Sequence, residues 1–167
     1  MKIGLLSDTH GYLDEKIFTY FTDCDQIWHA GDIGNLVLID RLAGFKPVKA
    51  VYGNIDGQDI RLAYPKDHKF ICEGLHVWMT HIGGYPPRYS PQILPVIKKE
   101  MPDIFICGHS HILKVMPDRA HNNLLHLNPG AAGKHGFHHM RTILRFEIID
   151  KKISNMQAIE LGKRAAL

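Results

Sequence analysis

This sequence predicts an α/β fold with a parallel sheet, and three observations carry the prediction. Short apolar runs alternate with amphipathic, helix-length stretches through the first third of the chain, the pattern of successive β-α units. Five apolar runs break off abruptly into small or polar residues, as buried strands do where they leave a sheet. The last third carries hairpin-like strand segments, which predict a second, partly antiparallel sheet.

Each element follows in order. Lys2-Ile3-Gly4-Leu5-Leu6 is the first strand and stops at Ser7-Asp8. A helix is expected from about Leu13 to Phe21, with Ile17, Phe18 and Phe21 on one face. Gln26-Ile27-Trp28-His29-Ala30 is the second strand, ending in Gly31-Asp32, and a helix from Leu36 to Leu42 follows. The third strand, Val48 to Tyr52, ends in Gly53-Asn54. His76 to Thr80 leads into His81, then a Pro- and Gly-rich loop from Ile82 to Pro91 and a helix running to Glu100. Asp103 to Cys107 leads into Gly108-His109-Ser110-His111. Strands from Leu124 to Asn128, Thr142 to Ile149 and Ile153 to Ile159 complete the chain. No linker, repeat or low-complexity stretch interrupts the pattern, so residues 1–167 are expected to form one domain.

Composition narrows the function. A chain of 167 residues buries enough surface to fold without disulfides or a structural metal. Its 45% hydrophobic and 22% charged residues exclude a disordered chain. A net charge of +3, without a basic stripe carrying interleaved aromatics, gives no strong nucleic-acid signal. Cys24, Cys72 and Cys107 form no CxxC pair, which fits a reducing compartment. The apolar stretch after Met1-Lys2 is too short for a signal peptide, and no apolar run reaches the roughly 18 residues of a membrane span. The expectation is a soluble cytoplasmic protein.

Histidine is the outlier, with 12 residues, and their placement is informative. Asp8, His10, Asp32, Asn54, His81, His109 and His111 all follow a strand candidate. In a parallel sheet the carboxyl ends of strands share one edge, where ligands bind, so these seven residues should converge. Two carboxylates, one amide and four imidazoles suit Mn²⁺, Fe, Zn²⁺, Co²⁺ or Ni²⁺ better than Ca²⁺ or a sulfur-bound structural zinc. Seven donors exceed one tetrahedral ion and suit two ions sharing a carboxylate. The glycines before Asp32, Asn54 and His109 let the chain turn closely at the strand ends. Taken singly the motifs are weak, since Asp-x-His arises by chance and Gly-Asp or Gly-Asn is usually a turn. Gly108-His109-Ser110-His111 is sharper, and the ordered set is a strong signal.

That ordered set resembles the calcineurin-like metallophosphoesterase superfamily, whose motifs run DxH, GD, GN, H, GHxH. The sequence is most similar to its small, single-domain bacterial and archaeal phosphodiesterase branch, to which the small subunit of retromer is related. Asn128-Pro129-Gly130 matches that branch's NPG motif. The resemblance implies a four-layer α/β/β/α sandwich with a dinuclear metal centre. It implies one ion on Asp8, His10, Asp32 and His111, and a second on Asp32, Asn54, His81 and His109, with Asp32 bridging. The implied activity is a divalent-metal-dependent phosphoesterase, foremost a phosphodiesterase, in which a bridging hydroxide attacks phosphorus in line. Its substrate would be a small-molecule or nucleotide-like phosphate ester, and manganese the metal expected to serve in assay.

Two departures from the family pattern stand out. Many members carry His after the Gly-Asn motif, as a general acid or transition-state stabiliser, and this chain has Ile55. The branch often has Gly-His after the fourth-motif histidine, where this chain has Ile82-Gly83. Outside the seven, His29 reads as a core histidine or a hydrogen-bond partner of a ligand. Asp56 reads equally as an orienting group or a turn residue. Arg88 reads as a solvated loop arginine or as a substrate contact, the latter role also open to Asn54. The His135–His139 cluster, flanked by Lys134 and Arg141, reads as a mobile polar loop or as a metal or phosphate contact, with the loop favoured, and Lys163-Arg164 as a solvated tail. Trp28, Trp78 and Cys107 read as core. The competing function is a protein-binding scaffold on a vestigial site; retention of all seven candidate ligands favours the enzyme. No sequence feature demands a homodimer, though one would be unsurprising.

Overall fold

A computed structural model of the chain describes residues 1–164. The first half runs β1 (Lys2–Leu6), α1 (Lys16–Tyr20), β2 (Gln26–His29), α2 (Leu36–Phe45), β3 (Val48–Ala50) and α3 (Gln58–Ala63). There follow β4 (Asp67–Cys72), β5 (Leu75–Thr80), the short β6 (Gly84–Tyr85) and β7 (Arg88–Tyr89), then α4 (Leu94–Glu100). The chain ends with β8 (Ile104–Ile106), β9 (Leu113–Asp118), β10 (Leu124–Pro129), β11 (Met140–Ile149) and β12 (Lys152–Lys163).

Two five-stranded sheets result, in orders β12-β11-β1-β2-β3 and β4-β5-β8-β10-β9. Both are built alike. Three strands, β1, β2 and β3 in one sheet and β5, β8 and β10 in the other, pair in parallel. Antiparallel strands extend each sheet: β11 and β12 in the first, β4 and β9 in the second. The second sheet was therefore expected, but its parallel centre is more regular than the sequence suggests.

Four layers follow from where apolar side chains point. Ile3, Leu5 and Trp28 of the first sheet pack with Val77, Met79, Ile104, Ile106 and Leu127 of the second, filling the space between the sheets. The outer face of the first sheet buries Ile27 and Ala50 against Ile17, Leu38, Ile39, Leu42 and Ile60 of α1, α2 and α3. The outer face of the second buries Trp78 and Phe105 against Ile97 of α4. This is the expected α/β/β/α sandwich.

Some elements differ from the sequence expectation. The first helix shortens to α1 because Asp14 is drawn away: its carboxylate takes Arg141 Nη1 at 2.7 Å while its other oxygen accepts from Lys16 N. Arg141 is therefore a buried structural cation, not a phosphate contact. The edge strands β4 and β9 leave only a weak apolar signature, since every residue before their buried last ones, Cys72 and Asp118, is half-buried or exposed. Pro117 lies within β9, where an edge strand tolerates a missing N–H. Arg164 is not a solvated tail: its backbone N donates to His139 O and its Nε to His138 O.

His126, on β10, is fully buried, and among the described residues neither ring nitrogen has a hydrogen-bond partner. Burial is the main reason its pKa falls to about 4, with Lys114 adding to the effect. The unfolded chain takes up this proton near pH 6.5, the folded protein only near 4. His126 therefore costs stability progressively as pH falls from 6.5 to 4, and nothing above 6.5. His126→Leu should shrink the loss of stability between pH 7 and 4.5 by about 2 kcal/mol. Urea unfolding at both pH values measures this, and an unchanged difference would mean His126 is hydrated or charged in the fold.

Candidate metal centre

All seven candidate residues lie just beyond the carboxyl ends of parallel strands: Asp8 and His10 after β1, Asp32 after β2, Asn54 after β3, His81 after β5, His109 and His111 after β8. The six parallel strands of both sheets feed one edge, so loops from opposite layers meet there. Turning the side chains inward puts five backbones in the left-handed region, with φ of 53° at Asp8, 48° at His10, 53° at Asp32, 65° at His109 and 58° at His111. Each costs roughly 1 kcal/mol for a non-glycine residue, and Asp and His are among the side chains that tolerate it best.

Backbone contacts hold these loops. Asp8 N, His10 N and Gly11 N donate to Gly31 O, Asp32 O and Ile33 O, zipping the first loop to the second. The Asp56 carboxylate accepts from Ile33 N, Gly34 N and Gly53 N, tying the Asp32 loop to the Asn54 loop. Asp56 is thus an orienting group. Gly53 is required here because a Cβ would collide with the Asp32 carboxylate. In the other sheet Asn128 Nδ2 donates to Gly108 O and Ser110 Oγ while its Oδ1 accepts from Gly130 N, which clamps the His109–His111 turn. The NPG motif was the sequence signal for this clamp.

The donors fall into two groups. Asp8, His10 and His111 have donor atoms within 4.8 Å of one another, as do Asp32, His81 and His109. His111 Nε2 stands 3.2 Å from Asp8 Oδ1 and 3.4 Å from His10 Nε2. His81 Nε2 stands 3.3 Å from Asp32 Oδ1, and His10 Nε2 3.7 Å from Asp32 Oδ2. Asp32 thus turns one oxygen toward each group. Asp8 offers only Oδ1, its Oδ2 being taken by His109 N at 3.1 Å. Asn54 Oδ1 lies 2.9 Å from His109 Nδ1 at the mouth.

Neighbours fix the imidazole tautomers. His81 Nδ1 donates to Ala30 O at 2.7 Å, which leaves the Nε2 lone pair facing Asp8 and Asp32. His138 Nε2 donates to Gly133 O at 3.0 Å, so its Nδ1 accepts from His111 Nδ1 at 3.2 Å. The His111 Nε2 lone pair then points at Asp8 and His10. His29, fully buried, accepts from Gly31 N at Nδ1 and donates from Nε2 to Thr9 Oγ1. Burial pushes its pKa down to about 4, so it supports the turn as a neutral group.

Charge in the centre is concentrated on the carboxylates. Burial alone would raise the Asp32 pKa, but contact with His81 outweighs it and holds the carboxyl below its ordinary value. Burial would likewise lower His81, yet Asp32 and Asp8 together raise it. Burial lowers His10 despite the same carboxylates. Divalent cations fit this arrangement. Asp8 Oδ1 and His81 Nε2 are buried lone pairs with no hydrogen-bond partner among the described residues. Donor separations of 3.2–3.9 Å also approach the roughly 3.0–3.4 Å expected between ligands about 2.1 Å from one ion.

Arg88 is exposed on β7 and lines neither cleft beside the centre, which fits its reading as a solvated arginine. The 134–139 segment is not a free polar loop: His138 is hydrogen-bonded on both sides, and the His135 ring lies 5.0 Å from that of His10. Ile55, Ile112 and exposed Phe137 line a cleft of about 550 Å³ above the donors. Cys107 is buried with its thiol pushed up to about 12 by burial, an inert core group.

Residues 1–151 match the calcineurin-like phosphoesterase superfamily domain. The chain is 32% identical over 137 residues to a probable metallophosphoesterase of Methanothermobacter thermautotrophicus, covering 78% of this chain and 77% of that protein. It is 29% identical over 148 residues to a phosphodiesterase of Methanocaldococcus jannaschii, covering 78% and 83% respectively. The solved structure of an archaeal phosphodiesterase superposes with a TM-score of 0.75 at 25% identity, covering 96% of this chain and 100% of that one. Vps29 of Entamoeba histolytica, solved with zinc, shares the fold at 16% identity and a TM-score of 0.71, covering 99% of this chain and 100% of that one. With the sandwich, the convergent donors and the family match in agreement, the chain belongs to the calcineurin-like phosphoesterase superfamily.

Proposed function

We propose that this protein is a metal-dependent phosphodiesterase working through a dinuclear centre. One ion would rest on Asp8, His10, Asp32 and His111, the other on Asp32, Asn54, His81 and His109. The observation that carries the reading is the pair of buried, unpartnered lone pairs at Asp8 Oδ1 and His81 Nε2, facing one another across 3.9 Å. When bound, two divalent ions would supply Lewis acidity to the phosphoryl oxygens and lower the pKa of water.

The chain's own residues prepare the rest. Asp32, ionised and reaching both donor groups, sets the spacing of the pair. Ala30 O and His138 hold His81 and His111 with their Nε2 lone pairs inward. Ile55 lines the cleft where a proton donor would stand, so the leaving group departs without help from that side chain and low-pKa leaving groups are favoured. Among the described residues no Lys or Arg lines this cleft, which suits a singly charged diester better than a dianionic monoester. Among the described residues no helix is long and apolar enough to cross a membrane. Three buried free cysteines fit a reducing, cytoplasmic setting.

The test is hydrolysis of bis(p-nitrophenyl) phosphate by metal-stripped protein titrated with Mn²⁺. Turnover should appear with metal and saturate near two equivalents. Two ions bound without turnover would replace this reading with a protein-binding scaffold. A second measurement addresses His138 as a positioning residue. His138→Ala should weaken Mn²⁺ binding about 10–100-fold in calorimetry, with His138→Gln recovering part of it by accepting from His111 Nδ1. Equal affinity in all three proteins would make the His138 contact incidental.

A further inference from the structure

Beside the donor cluster, on the far side of Asn54 and His81, lies a second cleft of about 530 Å³. We propose that it binds a second anionic group, a phosphate or carboxylate, carried by one arm of the substrate. The inference rests on the phosphodiesterase reading and names the substrate class.

The cleft's charge is unbalanced. Arg61, Lys66 and Lys69 line it with a single acid, Asp67. Asp67 Oδ1 is engaged by the Trp78 indole N–H at 3.0 Å, and Lys69 is paired with Glu100 at 2.7 Å. Among the described residues no carboxylate lies within 4.0 Å of Arg61 or Lys66. The neutral indole leaves the Asp67 charge in place, so with Lys69 paired the lining keeps a net positive charge, and neither Arg61 nor Lys66 is held in an ion pair.

Arg61 is also built in. Its Nε donates to Asp56 O at 2.7 Å, its Nη2 to Asn54 O at 3.1 Å, and its guanidinium lies 4.8 Å over the Tyr52 ring. These anchors are neutral, so they fix the guanidinium without cancelling its charge and leave Nη1 for an anion. Both carbonyls belong to the loop that carries Asn54, so the cation is held in register with the donor cluster. Gly53, Asn54 and His81 are walls of this cleft, and Asn54 also lines the apolar one. A diester seated at the donors would send its arms into two unlike clefts, apolar on one side and cationic on the other. The cationic cleft has the volume for a nucleotide-sized arm.

The experiment compares four esters on the Mn²⁺-loaded protein: bis(p-nitrophenyl) phosphate, thymidine 5′-(p-nitrophenyl phosphate), and the latter bearing either a 3′-phosphate or a 3′-O-carboxymethyl group. The 3′-anion should lower KM by about tenfold against the neutral 3′-hydroxyl, and the advantage should shrink with added salt. Lys66→Glu should erase the advantage, with Lys66→Ala intermediate, while turnover of bis(p-nitrophenyl) phosphate stays unchanged. An advantage for phosphate alone identifies a phosphorylated arm; an equal advantage for carboxylate identifies a general anion subsite. Equal KM with and without the 3′-anion, or an advantage that survives Lys66→Glu, overturns the proposal. If no ester is hydrolysed, the phosphodiesterase reading fails by itself. The subsite is then read by calorimetry of thymidine 3′,5′-bisphosphate against thymidine 5′-phosphate, where the same tenfold preference and its loss in Lys66→Glu are required.

Discussion

Asp32→Asn is expected to lower phosphodiester turnover by about 10³-fold or more while leaving the fold intact. Asp32 directs Oδ1 toward His81 and Oδ2 toward His10, so it joins the two donor groups. An amide removes the negative charge and one acceptor. A metal pair contributes several kcal/mol of charge stabilisation in the transition state, and about 4 kcal/mol corresponds to 10³ in rate. The fold survives because asparagine is nearly isosteric and its carbonyl can still accept from Ile55 N, now 3.1 Å from Oδ1.

Two further readouts separate lost chemistry from lost structure. Ligand at 100 times its Kd stabilises a native protein by about 2.7 kcal/mol, so Mn²⁺ should raise the Tm of the wild type and much less that of Asp32→Asn. In metal-free protein the Asp32 carboxylate helps to raise the His81 pKa, so NMR titration should find His81 lower in the variant. Wild-type turnover in Asp32→Asn would rule out a bridging role for this residue.

Ile55→His should do the opposite and raise activity, selectively. Ile55 is half-exposed, lines the cleft above the donors, and engages the centre only through its backbone N. An imidazole there can protonate a departing oxygen, a contribution of about 10²–10⁴-fold where the leaving group is poor. The gain should be large for an alkyl phosphodiester and small for p-nitrophenyl esters, whose phenolate leaves readily. A pH profile should acquire a limb, since the new acid works only while protonated. Equal gains on both substrates would show that the histidine acts by binding and not as an acid.

Much of the centre was legible in the sequence because parallel strands impose a rule. Whatever follows their carboxyl ends shares an edge, so Asp8, Asp32, Asn54, His81 and His109 could be assigned to one place across about a hundred residues of chain. The same rule was available for β10 and its following segment, where His138 now proves to hold His111. It was harder to apply there because that segment has no regular structure and its histidines resemble a polar loop. Asp56 was ambiguous for a related reason. A carboxylate after Gly-Asn is compatible with a turn, and only the approach of Ile33 N and Gly34 N from the loop after β2 gives it its bridging role.

The sequence by itself determined which residue types sit at strand ends, and therefore the fold class, the donor chemistry and the family. These depend on local hydrophobic periodicity and on spacing within single loops, both of which are linear properties of the chain. Tertiary structure alone decided the tautomers of His81 and His111, the two-sided reach of Asp32, the burial of Arg141 against Asp14 and the cationic cleft held by Arg61. Each of these arises from groups distant in sequence meeting at hydrogen-bond range, as Arg141 and Asp14 do across 127 positions. Periodicity places a residue on a face, but only packing chooses its partner.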